Sequence, residues 1–210
     1  MKEIAFVTAA VNFTNRAATT PAIPPYEFEQ APEQLYVRIF RPFIVRALRK
    51  NRRRGQATPL DSAPSYPFAP LVEAFAGSPI ALVLAKALAE MWASPVLTRG
   101  CKLLMFAVVA HGLSCGACAN EAARALVKEG FPEDALRKVL THLDPPELDA
   151  IERLLVPFTR ETIWYEPAAL QRRARALRDQ LSPLEFLEAI GVASLANGLC
   201  RLGAMIAEHP

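Results

Sequence analysis

At 210 residues the chain is long enough for one well-filled core without help from disulfides. Its net charge of +3 is small, and the pI near 8.8 comes from one Arg-rich stretch, so neither a nucleic-acid partner nor a broadly basic surface is expected. A hydrophobic share of 52% with mean hydropathy of +0.16 is high for a chain that stands alone in water, which points to a homo-oligomer with apolar surface buried between subunits.

Residues 1–20 are apolar but interrupted by Asn12, Asn15 and Arg16 before any small-residue cleavage site, so they do not read as a secretory leader. They align without gaps on the other end of the chain. Glu3, Asn12 and Arg16 match Glu188, Asn197 and Arg201 at a constant offset of 185, and the apolar positions between them agree. Either two apolar helices share three polar residues by chance, or 1–20 repeats the terminal helix of a duplicated domain.

Residues 21–66 form a Pro-rich and Arg-rich arm. Half of the 18 prolines fall between Pro21 and Pro70, a density that repeatedly breaks regular structure. One helix is expected inside the arm, over 35–54, with Pro42 kinking it or marking its start. Eight Lys and Arg lie between Arg38 and Arg54 with no acid among them. A solvated arm against a neighbouring subunit explains that run better than a grip on phosphate or an anionic membrane.

From Ser78 onward the pattern is helical with no alternation of β-branched residues, so the fold class is all-α and residues 67–210 are read as one helical domain. Ser78-Pro79 and Ser94-Pro95 read as caps followed by proline at the first helical position, opening helices over 79–93 and 95–112. Ser114 is expected to cap the next helix, which runs to Glu129 and stops at Gly130. Further helices are expected over 132–143, over 145–158 with Asp144 as cap, over 167–180, and over 183–207. The longest uninterrupted apolar run, Leu103 to Ala110, falls far short of the ~20 residues that cross a bilayer, so no membrane span is expected and the chain reads as cytoplasmic.

Four cysteines are too few for a secreted disulfide scaffold, but Cys115 and Cys118 stand at CxxC spacing at the start of a helix. At i and i+3 they share a face and can be bridged with modest adjustment. The unpaired N–H groups and positive dipole end of the helix favour a thiolate below the usual ~8.5. Such a thiolate attacks a peroxide oxygen, and the neighbouring thiol resolves the sulfenic acid as a disulfide. Half of a zinc site is the alternative, but Cys101, Cys200 and the three histidines supply no second CxxC or HxxxH. Inert burial is the other alternative. Cys101 and Cys200 lie in apolar helices and read as buried, and Trp92 and Trp164 as core or interface filler.

The order and spacing of three segments resemble the carboxymuconolactone decarboxylase and alkylhydroperoxidase D-like superfamily over about 67–207: the apolar helix from Lys102 to Cys115, the small-residue helix after it, and the closing helix from Glu185 to Asn197. The resemblance implies an alkylhydroperoxidase D-like helical bundle that reduces a hydroperoxide. Cys118 would be the attacking thiolate and Cys115 its resolving partner, with an external dithiol as reductant and no metal, flavin or other cofactor. The chain departs from the family at the proton relay, where a glutamate twelve residues before the first cysteine and a histidine four after the second are replaced by Leu103 and Ala122. Glu121, three residues after Cys118, and His111, four before Cys115, are the nearest replacements. A lyase of the carboxymuconolactone type, which needs no cysteine, and a redox-sensing protein without turnover remain as rival readings.

Overall fold

The computed structural model describes residues 66–142, 148–164 and 166–206, with isolated helical positions at Pro42, Phe43, Val45, Arg46 and Lys50. The repeat over 1–20 and most of the arm over 21–66 lie outside the described residues. Within them all regular structure is α-helical: α1 (Ala69–Glu73), α2 (Pro79–Ala93), α3 (Arg99–Gly112), α4 (Gly116–Lys128), α5 (Glu133–His142), α6 (Ala150–Trp164), α7 (Pro167–Gln180) and α8 (Pro183–Ile206).

Helix α3 is the axis of the bundle. Eleven of its fourteen residues are buried, as a helix apolar on every side requires, and α4, α5, α6 and α8 pack around it. Helix α4 instead buries the single stripe Cys118, Ala122 and Leu126, spaced by four, so the first turn of α4 carries Cys118 into the core. Helix α8 buries mostly small residues, among them Ala189, Ala193, Ala196 and Gly203, which lets its backbone come close to its neighbours.

Helix starts follow the hydrogen bonds that each local sequence can make. Ser78 sits at the head of α2, yet its hydroxyl donates to the Phe75 carbonyl at 2.7 Å instead of capping. The expected start at Pro95 is corrected to Arg99, because the Ser94 hydroxyl accepts the Val96 N–H in a tight turn and Thr98 Oγ1 caps α3 through the Cys101 N–H at 3.1 Å. The expected start at Pro145 is corrected to Ala150. There Asp149 and Glu152 form a reciprocal box, each carboxylate accepting the other's N–H, at 2.7 and 3.0 Å. Helix α6 runs on through Pro157 to Trp164, and Asp144 lies outside the described residues. Ser182 and Glu185 make the same kind of box at the head of α8. Gly130 ends α4 as expected, with φ of 88° and the Phe131 N–H returned to the Leu126 carbonyl at 2.9 Å.

Helix α1 was not expected. It is held where the chain pays for it in backbone conformation: Phe68 has φ of 70°, unusual for a residue with a side chain. Three contacts hold that conformation. The Phe68 ring is fully buried, it stacks on Phe106 with centroids 4.4 Å apart, and the Phe68 N–H donates to Glu121 Oε1 at 3.4 Å.

Polar contacts fasten α8 along its length, through the three residues Glu188, Asn197 and Arg201 that match Glu3, Asn12 and Arg16 in sequence. Glu188 accepts the Leu97 N–H at 2.6 Å and pairs at 2.9 Å with Lys102, whose fully buried ammonium also donates to the Met91 and Ser94 carbonyls at 2.7 and 2.6 Å. Asn197 donates to Thr162 Oγ1 at 2.8 Å, and Arg201 donates to the Ile163 carbonyl at 2.8 Å, in the last turn of α6 where such carbonyls lack helical partners. By length and composition α8 could also cross a membrane, unlike the uninterrupted run Leu103 to Ala110; half of its most apolar window is buried inside this bundle.

Candidate functional site

The connection from α3 to α4 is tight because the Cys115 N–H donates back to the Ala110 carbonyl at 2.9 Å. Ser114 was expected to cap α4, but it takes a left-handed conformation, φ 54°, and stands outside the helix. Cys115 occupies the cap position instead. Its side chain makes no capping hydrogen bond, and its sulfur is joined to that of Cys118 in a disulfide, with Cα atoms 5.3 Å apart.

The two cysteines are 1% and 0% exposed, so the pair is sealed in the core rather than open on the surface. Gly203 of α8 is part of that seal. A Cβ built on it would stand 2.9 Å from the Cys118 sulfur and 3.0 Å from the Cys115 sulfur, with Leu71 Cδ2 of α1 at 3.9 Å. Bare helix backbone thus lies directly against the disulfide. Sequence reasoning missed Gly203, whose only signal was a glycine within a long apolar helix.

The electrostatic setting of the pair is mixed. No side chain caps the first turn of α4, whose positive end begins at Cys115 and carries Cys118 in its first turn. Burial acts in the opposite sense by disfavouring a thiolate. Leu103 and Ala122, which the sequence offers in place of relay residues, are fully buried and apolar.

Of the two replacement candidates, Glu121 shares α4 with Cys118 and its side chain is 18% exposed. One carboxylate oxygen accepts the Phe68 N–H and the other takes the Arg124 guanidinium, so the group that would act as base also anchors α1. His111 lies half-buried in the last turn of α3, and burial lowers its pKa from 6.5, favouring the neutral imidazole. Glu121 and His111 therefore stand on different helices, α4 and α3.

Cys101 and Cys200 are both buried, as expected. Burial pushes the Cys101 thiol up to about 11, with the Thr98 hydroxyl opposing and the Glu152 and Asp149 charges adding to the rise. Burial also raises Cys200 strongly. Neither thiol is an activated nucleophile. Trp92 is half-buried under the Arg99 guanidinium, which lies 4.8 Å from its ring centroid, and Trp164 packs partly buried against the core.

A second group of chemically capable residues lies at the N-termini of α3 and α6. Cys101, Asp149 and Glu152 bring one ligand atom each to within 4.8 Å of one another. A cavity of about 530 Å³ adjoins them, lined by Thr98, Arg99, Glu129 and Phe131 as well as by both carboxylates. The reciprocal Asp149–Glu152 box already accounts for the two carboxylates, and the sequence signal for it was the Asp-x-x-Glu spacing.

No protein-family model matches the chain, and no curated protein or solved structure matches it significantly.

Proposed function

We propose that this chain is a thiol-dependent oxidoreductase of the alkylhydroperoxidase D-like kind, which reduces a hydroperoxide through a Cys115/Cys118 dithiol–disulfide cycle. The observation that carries the proposal is the pairing itself: the two cysteines meet at the first turn of α4, within bonding distance. The Cys118 thiolate attacks a peroxide oxygen, the O–O bond breaks, and the departing alkoxide takes up a proton to leave as an alcohol. The resulting sulfenic acid is attacked by the Cys115 thiolate; the S–S bond forms and hydroxide leaves as water once protonated. An external dithiol returns two electrons and two protons.

Glu121 or His111 supplies the proton traffic, since Leu103 and Ala122 cannot. Because the pair is buried, α1 or α8 must give way to admit reactants, which suits a small hydroperoxide better than a bulky one. Apolar excess buried between copies of the chain, and a cytoplasmic setting that keeps an external dithiol reduced, complete the proposal.

A redox-sensing role without turnover is the second reading, and the sealed pair with apolar residues at both relay positions favours it. Peroxide consumption with dithiothreitol as reductant, on wild type, Cys118→Ser and Cys115→Ser, separates the two. Peroxidase action requires wild-type turnover well above dithiothreitol alone and its loss in Cys118→Ser. Stoichiometric conversion of the dithiol to the disulfide without turnover supports sensing. Wild-type protein in which the pair never oxidises defeats both.

A further inference from the structure

The missing side chain of Gly203 leaves room that both sulfurs occupy. Among the other glycines with a described environment, Gly116 and Gly191 face open space, and Gly100 has only ordinary contact with Thr98. Glycine in a helix interior costs stability relative to alanine, and at position 203 packing supplies a reason for it. Here the reason is close approach: a Cβ at 2.9 and 3.0 Å from the two sulfurs is nearer than real side chains come.

We infer that Gly203 is a positioning residue for the redox pair, its bare backbone being what allows α8 to seat on the disulfide form. This rests on reading Cys115 and Cys118 as a redox couple. In the disulfide the two sulfurs are tied to each other, and neither can turn about its Cα–Cβ bond to escape an added methyl group. In the dithiol that tie is broken, and each sulfur can turn about its own Cα–Cβ bond without moving the other. A side chain at 203 therefore acts against the oxidised state selectively. Oxidation and reduction of the pair are coupled to how α8 packs.

The test equilibrates full-length protein with mixtures of glutathione and glutathione disulfide, in which the protein dithiol gives two electrons and two protons to glutathione disulfide and yields two glutathiones. Acid quenching, alkylation and mass spectrometry then read the oxidised fraction. Gly203→Ala should need a ratio about tenfold or more oxidising for half-oxidation, the scale of an overpacked core site. Gly191→Ala, exposed on the same helix, should titrate with wild type. A Gly203→Ala midpoint equal to that of wild type, or shifted toward the disulfide, overturns the inference, as does a wild-type pair that glutathione disulfide never oxidises.

If Gly203→Ala does not fold, it is placed in a Cys115→Ala/Cys118→Ala background. Recovered folding there assigns the defect to the sulfurs, and folding of Gly203→Ala with dithiothreitol present but not without it assigns it to the disulfide and supports the inference; failure in both overturns it. The glutathione midpoint is independent of peroxide turnover. A shifted midpoint in a protein that consumes no peroxide would defeat the peroxidase reading and leave Gly203 as the residue that sets the pair's poise.

Discussion

Replacing Lys102 by Met keeps the length of the side chain and removes its charge from the middle of the bundle. The ammonium is fully buried, donates to the two carbonyls Met91 and Ser94 at the end of α2, and pairs with Glu188, whose side chain is 12% exposed. Lys102→Met leaves both carbonyls without their donor and the Glu188 carboxylate without its cation. Removing one partner of a buried pair typically costs ~3–5 kcal/mol. Glu188 keeps the Leu97 N–H and some contact with solvent, which places the expected loss near the lower end, about 3–4 kcal/mol. At ~2–4 °C per kcal/mol for a chain of this size, the melting temperature should fall by about 6–16 °C by circular dichroism. The double variant Lys102→Met/Glu188→Leu should recover part of the loss, because no charge is then left unpaired, with a coupling of at least ~1 kcal/mol. Breaking the exposed Lys86–Glu90 pair is the control and should leave the melting temperature nearly unchanged. A loss below about 1 kcal/mol for Lys102→Met, or strict additivity in the double variant, would refute the argument that a desolvated charge pair fastens α8 to the α2–α3 connection.

Glu121→Gln keeps an acceptor for the Phe68 N–H and deletes the base, so disulfide formation by peroxide near neutral pH should slow by ~10²-fold or more and recover partly at high pH; an unchanged or faster rate makes the carboxylate only an anchor for α1. Cys101 and Cys200 should resist iodoacetamide in the native protein and react on denaturation, since burial keeps both thiols protonated; native labelling of either, read by mass spectrometry, contradicts that account. His111 should contribute an acid-side loss of stability. Its folded pKa lies below 6.5, so the unfolded chain takes up the proton first, and stability should fall as pH drops below about 6.5 and level off once the folded imidazole is also protonated. Urea denaturation between pH 5 and 8 should show that slope in wild type and a shallower one in His111→Gln.

Legibility in the sequence followed how local each determinant is. Periodicity marked α2, α4, α5, α7 and α8 closely, because amphipathic spacing, Pro at the first turn and Gly130 after the last are read within a few residues. The starts of α3 and α6 were misread where two capping residues competed a few positions apart. Thr98 prevailed over Ser94 because its hydroxyl reaches the Cys101 N–H while Ser94 closes a turn, and the Asp149–Glu152 box set the start of α6. Helix α1 was illegible, since five residues are too few to be stable alone and are held by tertiary burial of Ala69, Leu71 and Val72, behind a Phe68 fixed by Phe106 and Glu121.

The cysteine pair was legible for the same reason as the caps: i and i+3 on one helix are neighbours in any fold that contains the helix. Its surroundings were not. That Gly203 lies on the sulfurs, that Glu121 is engaged by Phe68 and Arg124, and that Lys102 finds Glu188 all depend on helices brought together from distant parts of the chain. The sequence by itself determined the helical class and where two thiols could meet. Only the tertiary structure decided how deeply they are buried and what must move to reach them, because burial belongs to the packing of several helices and is written in none of them alone.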